Sequence, residues 1–189
     1  MSDLQVPLER LVVAMPTVWT ERHRGHATDG GYWLGIHLAG DEEPERGDEL
    51  RAQLAGAGSP IVEAPDLGLA PVLAVHDERF VDCLRRAYPE WVAAGHIDDP
   101  GQPLVVPYIF ASKAFAARAL ANRPPTTIRA EIGLYATDTL TLLGAGTFDA
   151  ACAAVHASVH AAELVAGGAP AVYAAVRPPG HHAGPAYFG

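Results

Sequence analysis

Two adjacent imidazoles, His181 and His182, follow the stretch Ala171-Val172-Tyr173-Ala174-Ala175-Val176-Arg177-Pro178-Pro179-Gly180. Histidine titrates near neutral pH, so a pair held on one rigid turn suits proton transfer. The two rings need not be equivalent: a carboxylate partner can hold one charged while the other stays neutral and acts as base. A bare pair also occurs in exposed loops and in metal sites, where a metal needs further ligands. The preceding residues narrow the choice. Ala171 to Val176 is apolar without alternation, the pattern of a strand buried on both faces. Pro178 and Pro179 remove backbone donors and end its ladder, and Gly180 permits the bend that follows. The histidines are therefore expected just past the carboxyl end of a core strand, where open α/β sheets bind ligands.

Other residues capable of chemistry are scattered. His23 and His26 have an i, i+3 spacing seen in metal sites, but no cysteine or acidic cluster lies beside them. His156 and His160 stand at i and i+4 without the intervening glutamate of the metalloprotease motif, which makes them helix-surface residues. Cys83 and Cys152 fall inside apolar helical patterns with no metal spacing, and read as reduced core thiols.

The elements that must position the pair alternate between short apolar runs and amphipathic stretches. Leu11-Val12-Val13-Ala14, closed by Pro16, reads as the first strand, and Trp19 to Gly40 as a long loop. A polar helix is expected from Glu42 to Ala55, ended by Gly56 to Gly58. Ile61-Val62 and Val72-Leu73-Ala74-Val75 are further strand candidates. Asp77 caps a helix with Phe80, Leu84 and Ala87 on one face, interrupted at Pro89, and His76 before the cap reads as a structural contact. Asp98 to Gly101 is a turn, Pro103 to Pro107 a loop or edge strand, and Ser112 to Asn122 a helix. Thr147 is the expected N-cap of a helix reaching Val165, with Phe148, Cys152, Val155, Val159 and Ala162 as its buried stripe. Gly167-Gly168 ends that helix before the strand at Ala171. With no repeats, low-complexity tract or linker, this order predicts a single domain with a mostly parallel α/β sheet.

Arg177-Pro178-Pro179-Gly180-His181-His182-Ala183 resembles the signature of the histone deacetylase and acetylpolyamine amidohydrolase superfamily. Gly133-Leu134-Tyr135-Ala136-Thr137-Asp138-Thr139, the Gly146-Thr147-Phe148 helix start, and Val75-His76-Asp77 followed by Phe80-Val81 are also similar to it. The likeness leans toward the class II, acetylpolyamine amidohydrolase-like branch. It implies a three-layer α/β domain of the arginase/deacetylase type, cut at Gly189, with residues 1–189 as its amino-terminal part. It further implies zinc-dependent hydrolysis of an acetylated amine, either an acetylpolyamine or acetyllysine. The zinc ligands, an Asp-x-His pair and a later Asp, are expected downstream of Gly189, so no metal ligand is assigned in this chain and the 189 residues alone are expected to be inactive. His182 is the implied base and acid. His181 is the implied charged partner, paired to a downstream carboxylate. Arg177 is a candidate for bridging loop carbonyls. In a family whose substrate loops occupy the region from Thr126 to Gly144, Asp138 and then Glu131 are the candidate substrate carboxylates; the alternative for Asp138 is a turn-former on a surface loop. The likeness also places the loop of His23 and His26 near the rim of the active-site tunnel and makes a homodimer the expected assembly. The competing class is a non-catalytic module that keeps the fold without the metal.

Composition sets outer bounds. A chain of 189 residues, 49% hydrophobic and 19% charged, can bury roughly two-thirds of its unfolded surface in one core. A net charge of −9 argues against a nucleic-acid surface, which needs clustered positive charge, and is compatible with a cationic substrate. No run of about eighteen apolar residues marks a membrane span. Met1-Ser2-Asp3-Leu4 has neither the basic nor the apolar segment of a signal peptide, so a cytoplasmic protein is expected.

Overall fold

The computed structural model describes residues 15–40, 42–111, 117, 118, 121 and 123–189. Three strands form a parallel sheet in the order β4-β1-β5: β1 (Thr17–Trp19) lies between β4 (Ile61–Glu63) and β5 (Tyr173–Ala174). Thr17 is level with both Ile61 and Tyr173, and Val18 with Val62 and Ala174. Parallel neighbours need crossover connections. Here the first contains α1 (Pro44–Gly56), and the long return to β5 carries α2 (Ala70–Leu73), α3 (Glu78–Ala93), α4 (Ile128–Glu131) and α5 (Thr147–Ala166). The α/β class with a parallel sheet is as expected from the sequence.

The helices differ in what they bury. Asp77 accepts hydrogen bonds from the amides of Arg79 and Phe80 and so caps α3. That helix buries Phe80, Cys83, Ala87 and Trp91 against Val105, Ile128, Ile132, Tyr135, Leu143 and Phe188. Burial of each large apolar side chain stabilises by roughly 1.5–3 kcal/mol, and this cluster is the main core. A smaller one forms where Ala157 and Ala161 of α5 meet Val18, with Val62, Val172 and Ala174 at its edge. Small residues let this helix lie close over the sheet. α1 buries no side chain among the described residues.

Several expectations require correction. The first described strand lies after Pro16, at Thr17–Trp19, while Leu11 to Ala14 fall outside the described residues. Most of the helix expected over 112–122 also falls outside them. Trp19 to Gly40 is not one long loop: it holds a 3-10 turn (Glu21–Gly25) and a hairpin of β2 (Gly31–Trp33) and β3 (Ile36–Leu38). The hairpin turns at Leu34 and Gly35, both at positive φ (49° and 80°), the pairing that suits right-twisted strands. Val72 to Val75 does not form a strand; Val72 and Leu73 belong to α2. Pro89 does not break α3, which continues to Ala93 after losing one ladder donor. Gly146, rather than Thr147, is the N-cap of α5.

The α5 stripe is also rotated from the expected one. Its buried residues are Ala150, Cys152, Ala153, His156, Ala157 and Ala161, because the alanine face meets the sheet. His156 is therefore not a surface residue: its Nε2 lies 2.7 Å from Gly68 O. The strand at Ala171 shrinks to two residues at the sheet's edge, and Tyr173 remains 39% exposed.

Candidate active site

Arg177 fixes the start of the histidine turn. Its side chain is buried, and its guanidinium donates to Glu42 Oε1 (2.7 Å), His23 O (2.9 Å), His26 O (2.8 Å) and Glu42 O (2.8 Å). The planar fork of arginine can serve several acceptors at once, which lysine cannot reproduce. One side chain thus joins the end of β5 to the 3-10 turn and to the segment entering α1. Pro178 and Pro179 then carry the chain onward with fixed φ.

His181 and His182 occupy the two central positions of a turn closed by Ala183 N–H donating to Gly180 O at 3.0 Å. Their rings meet nearly edge to face, with centroids 4.2 Å apart and an interplanar angle of 73°. Both are exposed and line a cavity of about 1130 Å³. The following residues stitch the turn to the core. His76 Nδ1 lies 3.1 Å from Gly184 O, and Asp77 N–H donates to Pro185 O at 2.8 Å. Phe188 is buried in the main core, and its amide donates to Tyr135 O at 2.8 Å. His76 is accordingly the structural contact expected from sequence.

Asp138 lines the same cavity. Its Oδ1 accepts from the amides of Leu140 (2.8 Å) and Thr141 (2.7 Å), the arrangement of an aspartate that turns the chain. Gly189 lies between it and His182: a Cβ built there would lie 3.2 Å from both Asp138 Oδ2 and His182 Cβ. Glu131 is not brought to this cavity. Its carboxylate pairs with Arg86 on α3 at 3.0 Å, because α4 packs against that helix.

The pair His23 and His26 does not make a metal site. Both rings are buried rather than turned outward. His23 stacks edge-on against Trp19, with centroids 4.4 Å apart, and its Nε2 is 3.3 Å from Asp48 Oδ1. That contact is an ion pair by distance, but neither ring nitrogen has the alignment of a hydrogen bond. Burial holds the His23 pKa below its ordinary value despite Asp48, and Arg177 adds to the lowering. His26 sits in the cavity wall with Nδ1 2.9 Å from Thr147 Oγ1. Glycine makes this approach possible: a Cβ on Gly146 would lie 2.5 Å from Gly25 O, so the 3-10 turn and the start of α5 meet backbone to backbone. Sequence reasoning missed the burial of His26, whereas Arg177 bridges loop carbonyls as expected from the sequence. An arginine directly before the Pro-Pro pair at a strand end was the available signal.

Burial, assisted by Arg177 and opposed by Glu42, depresses the His26 pKa from 6.5 to about 4. A folded-state value below the unfolded one means that the unfolded chain binds the proton first as pH falls. The stability owed to neutral His26 is complete above pH 6.5 and is lost progressively toward pH 4. Between pH 7.5 and 5 the chain is expected to lose about 2 kcal/mol from this residue. Denaturant unfolding across that range checks it: His26→Asn should flatten the dependence, and an unchanged slope would remove His26 as its source.

Among the described residues no group of three or more His, Cys, Asp or Glu could hold a metal ion. The sheet, its covering helices and the tandem histidines beyond a strand end are those of a deacetylase-type α/β domain. The chain belongs to the histone deacetylase domain family, whose model matches residues 41–188. It is 32% identical over 176 residues to the acetylpolyamine amidohydrolase of Mycoplana ramosa, covering 93% of this chain and 49% of that protein. Acetylpolyamine amidohydrolase 2 of Pseudomonas aeruginosa is 31% identical over 176 residues, with 93% and 48% coverage. The crystal structure of an acetylpolyamine aminohydrolase from Burkholderia pseudomallei superimposes with a TM-score of 0.80 at 28% identity, covering 92% of this chain and 47% of that one. The HDA15 HD domain shares the fold, with a TM-score of 0.55 at 19% identity, covering 93% of this chain and 38% of that one. The chain thus spans about half the length of the curated relatives it matches.

Proposed function

We propose that this chain is the amino-terminal, histidine-bearing part of a zinc-dependent deacetylase that hydrolyses an acetylated amine, an acetylpolyamine or acetyllysine. The observation that carries the reading is the His181–His182 turn opening into a large cavity, in a chain of this family. Amide hydrolysis adds water across the C–N bond, giving acetate and the free amine. His182 takes the proton from the attacking water and returns it to the departing nitrogen. His181 contributes a hydrogen bond and, when protonated, positive charge where the acyl oxygen becomes negative. Residence in the cytoplasm and homodimer formation belong to the same reading. No helix of the described residues is long and apolar enough to cross a membrane, and the hairpin carries exposed Trp33, Leu34, Ile36 and Leu38 that a second copy could cover.

The described residues do not fit a zinc ion, so its ligands in this reading come from polypeptide other than these residues. Metal analysis of the purified 189-residue chain is expected to find far less than one equivalent of zinc. A full, tightly held equivalent would assign ligands within the chain and overturn that division.

Asp138 is the proposed substrate carboxylate, since it lines the same cavity as His182. An acceptor-only side chain there favours an ammonium group over a neutral tail. In the intact protein, Asp138→Asn is expected to raise KM for N-acetylputrescine several-fold more than for a neutral N-alkylacetamide. Equal effects on the two substrates would leave Asp138 as a turn-former alone. The competing reading is a binding module that keeps the fold without catalysis. Failure of the intact protein to release acetate would select it.

A further inference from the structure

His26 has no part in the reaction just described, yet it faces the same cavity in a defined chemical state. The residue is 6% exposed. Thr147 Oγ1, 2.9 Å from Nδ1, already accepts the Gly144 N–H at 2.9 Å. A hydroxyl has one proton to donate, and His26 Nδ1 is the only acceptor it meets among the described residues. In the tautomer that satisfies the Thr147 proton, Nδ1 accepts it and the neutral ring carries its own proton on Nε2. Nε2 forms no hydrogen bond with the described residues, although the ring lines the cavity. Nε2 is not enclosed by protein, so water or a ligand in the cavity supplies its partner.

The surroundings decide what kind of ligand fits. The Arg177 guanidinium donates to His26 O at 2.8 Å, and its charge disfavours a second cation beside it. Glu42 acts in the opposite sense, but its carboxylate already accepts from Arg177 Nε and Arg46. Burial and Arg177 prevail, so the imidazole remains neutral through the physiological range. A neutral N–H in an electropositive corner cannot accept from an ammonium group, whereas it can donate to oxygen.

We propose that His26 is a ligand-binding residue of the cavity, donating Nε2–H to an oxygen acceptor: the carbonyl of an acyl group or the carboxylate of the acid released from it. The identity of that acyl group as acetyl rests on the deacetylase reading; the donor role of His26 does not. Arg177 is then a positioning residue for two histidine-bearing segments, since it holds the His26 backbone and also starts the His181–His182 turn.

Long-range ¹⁵N–¹H spectra of the labelled 189-residue chain test this without any enzymatic activity. His26 is expected to show the Nε2–H tautomer from pH 5.5 to 8. Sodium acetate should shift its Nε2 resonance saturably, while methylammonium chloride at equal ionic strength should not. His26→Phe keeps an aromatic ring without the donor, and should abolish the acetate response of the Thr147 and Gly144 amides. An Nδ1–H tautomer would overturn the proposal. So would a response to methylammonium instead of acetate, an acetate response of those amides that survives in His26→Phe, or no response at about 100 mM acetate, far above millimolar affinity. If His26→Phe does not fold, the tautomer and the two titrations of the unsubstituted chain decide. A chain that passes here while the intact protein releases no acetate would separate failure of the deacetylase reading from failure of this one.

Discussion

Replacing His182 by alanine in the intact protein is expected to lower turnover of an acetylated amine by about 10²–10⁴-fold, the range that general acid–base catalysis supplies. His181→Ala should also lower turnover, but for another reason: it removes a hydrogen bond and a charge while leaving the base in place. The two losses are distinguishable by pH. Activity that depends on a neutral base falls on the acidic side as that base is protonated. This acidic limb should persist in His181→Ala and be altered in His182→Ala. The centroid separation of 4.2 Å means that each ring is part of the other's environment, so a shifted limb in His181→Ala is consistent with these roles. Near wild-type turnover and an unchanged limb in His182→Ala would show that the base lies elsewhere. Both variants should retain their metal, and loss of zinc from either would make the pair a ligand set instead.

Arg177→Ala is expected to destabilise the chain by about 3 kcal/mol, since a buried acceptor left unmet costs about 1–3 kcal/mol. Removing the guanidinium strands the carbonyls of His23, His26 and Glu42, while the Glu42 carboxylate keeps Arg46 as a partner. Small domains are stable by only 5–15 kcal/mol, so this loss should be plain in chemical denaturation. Arg177→Lys should recover only part of it, because one ammonium cannot reach acceptors spread across two segments. A change below about 1 kcal/mol for Arg177→Ala would mean that water replaces the guanidinium, and that the two loops do not depend on it.

Much of the fold was legible because its strongest local signals agree with its packing. Asp77 before Phe80, Leu84 and Ala87 predicts a capped, one-sided helix, and α3 has that cap and that face. The phrase from Arg177 to Ala183 likewise placed the histidines beyond a strand end and on a turn. What failed was decided by tertiary context. Val72 and Leu73 have the composition of a strand, but among the described residues they pair with no strand and form a helical turn instead. The α5 stripe was assigned by side-chain size, whereas close approach to the sheet selects its alanines. Leu34-Gly35 between two apolar triplets was a readable hairpin signal that the long-loop reading passed over.

Within the candidate site, residue type was legible and partnership was not. The sequence offers Asp138 first and Glu131 second as substrate carboxylates, and Arg86, forty-five positions before Glu131, takes that second side chain away from the cavity. His23 and His26 look like a metal spacing in one dimension. Their burial against Trp19 and Thr147 instead gives each ring a different neighbour, and no third ligand joins them among the described residues.

The measurement that tests the account most directly is acetate release from N-acetylputrescine by the intact protein, supplemented with zinc, beside its His182→Ala variant. The account predicts one acetate for each putrescine formed by the unsubstituted protein, and a rate lower by at least about 10²-fold in the variant. Absence of release from the unsubstituted protein, or equal rates from the two, would contradict it.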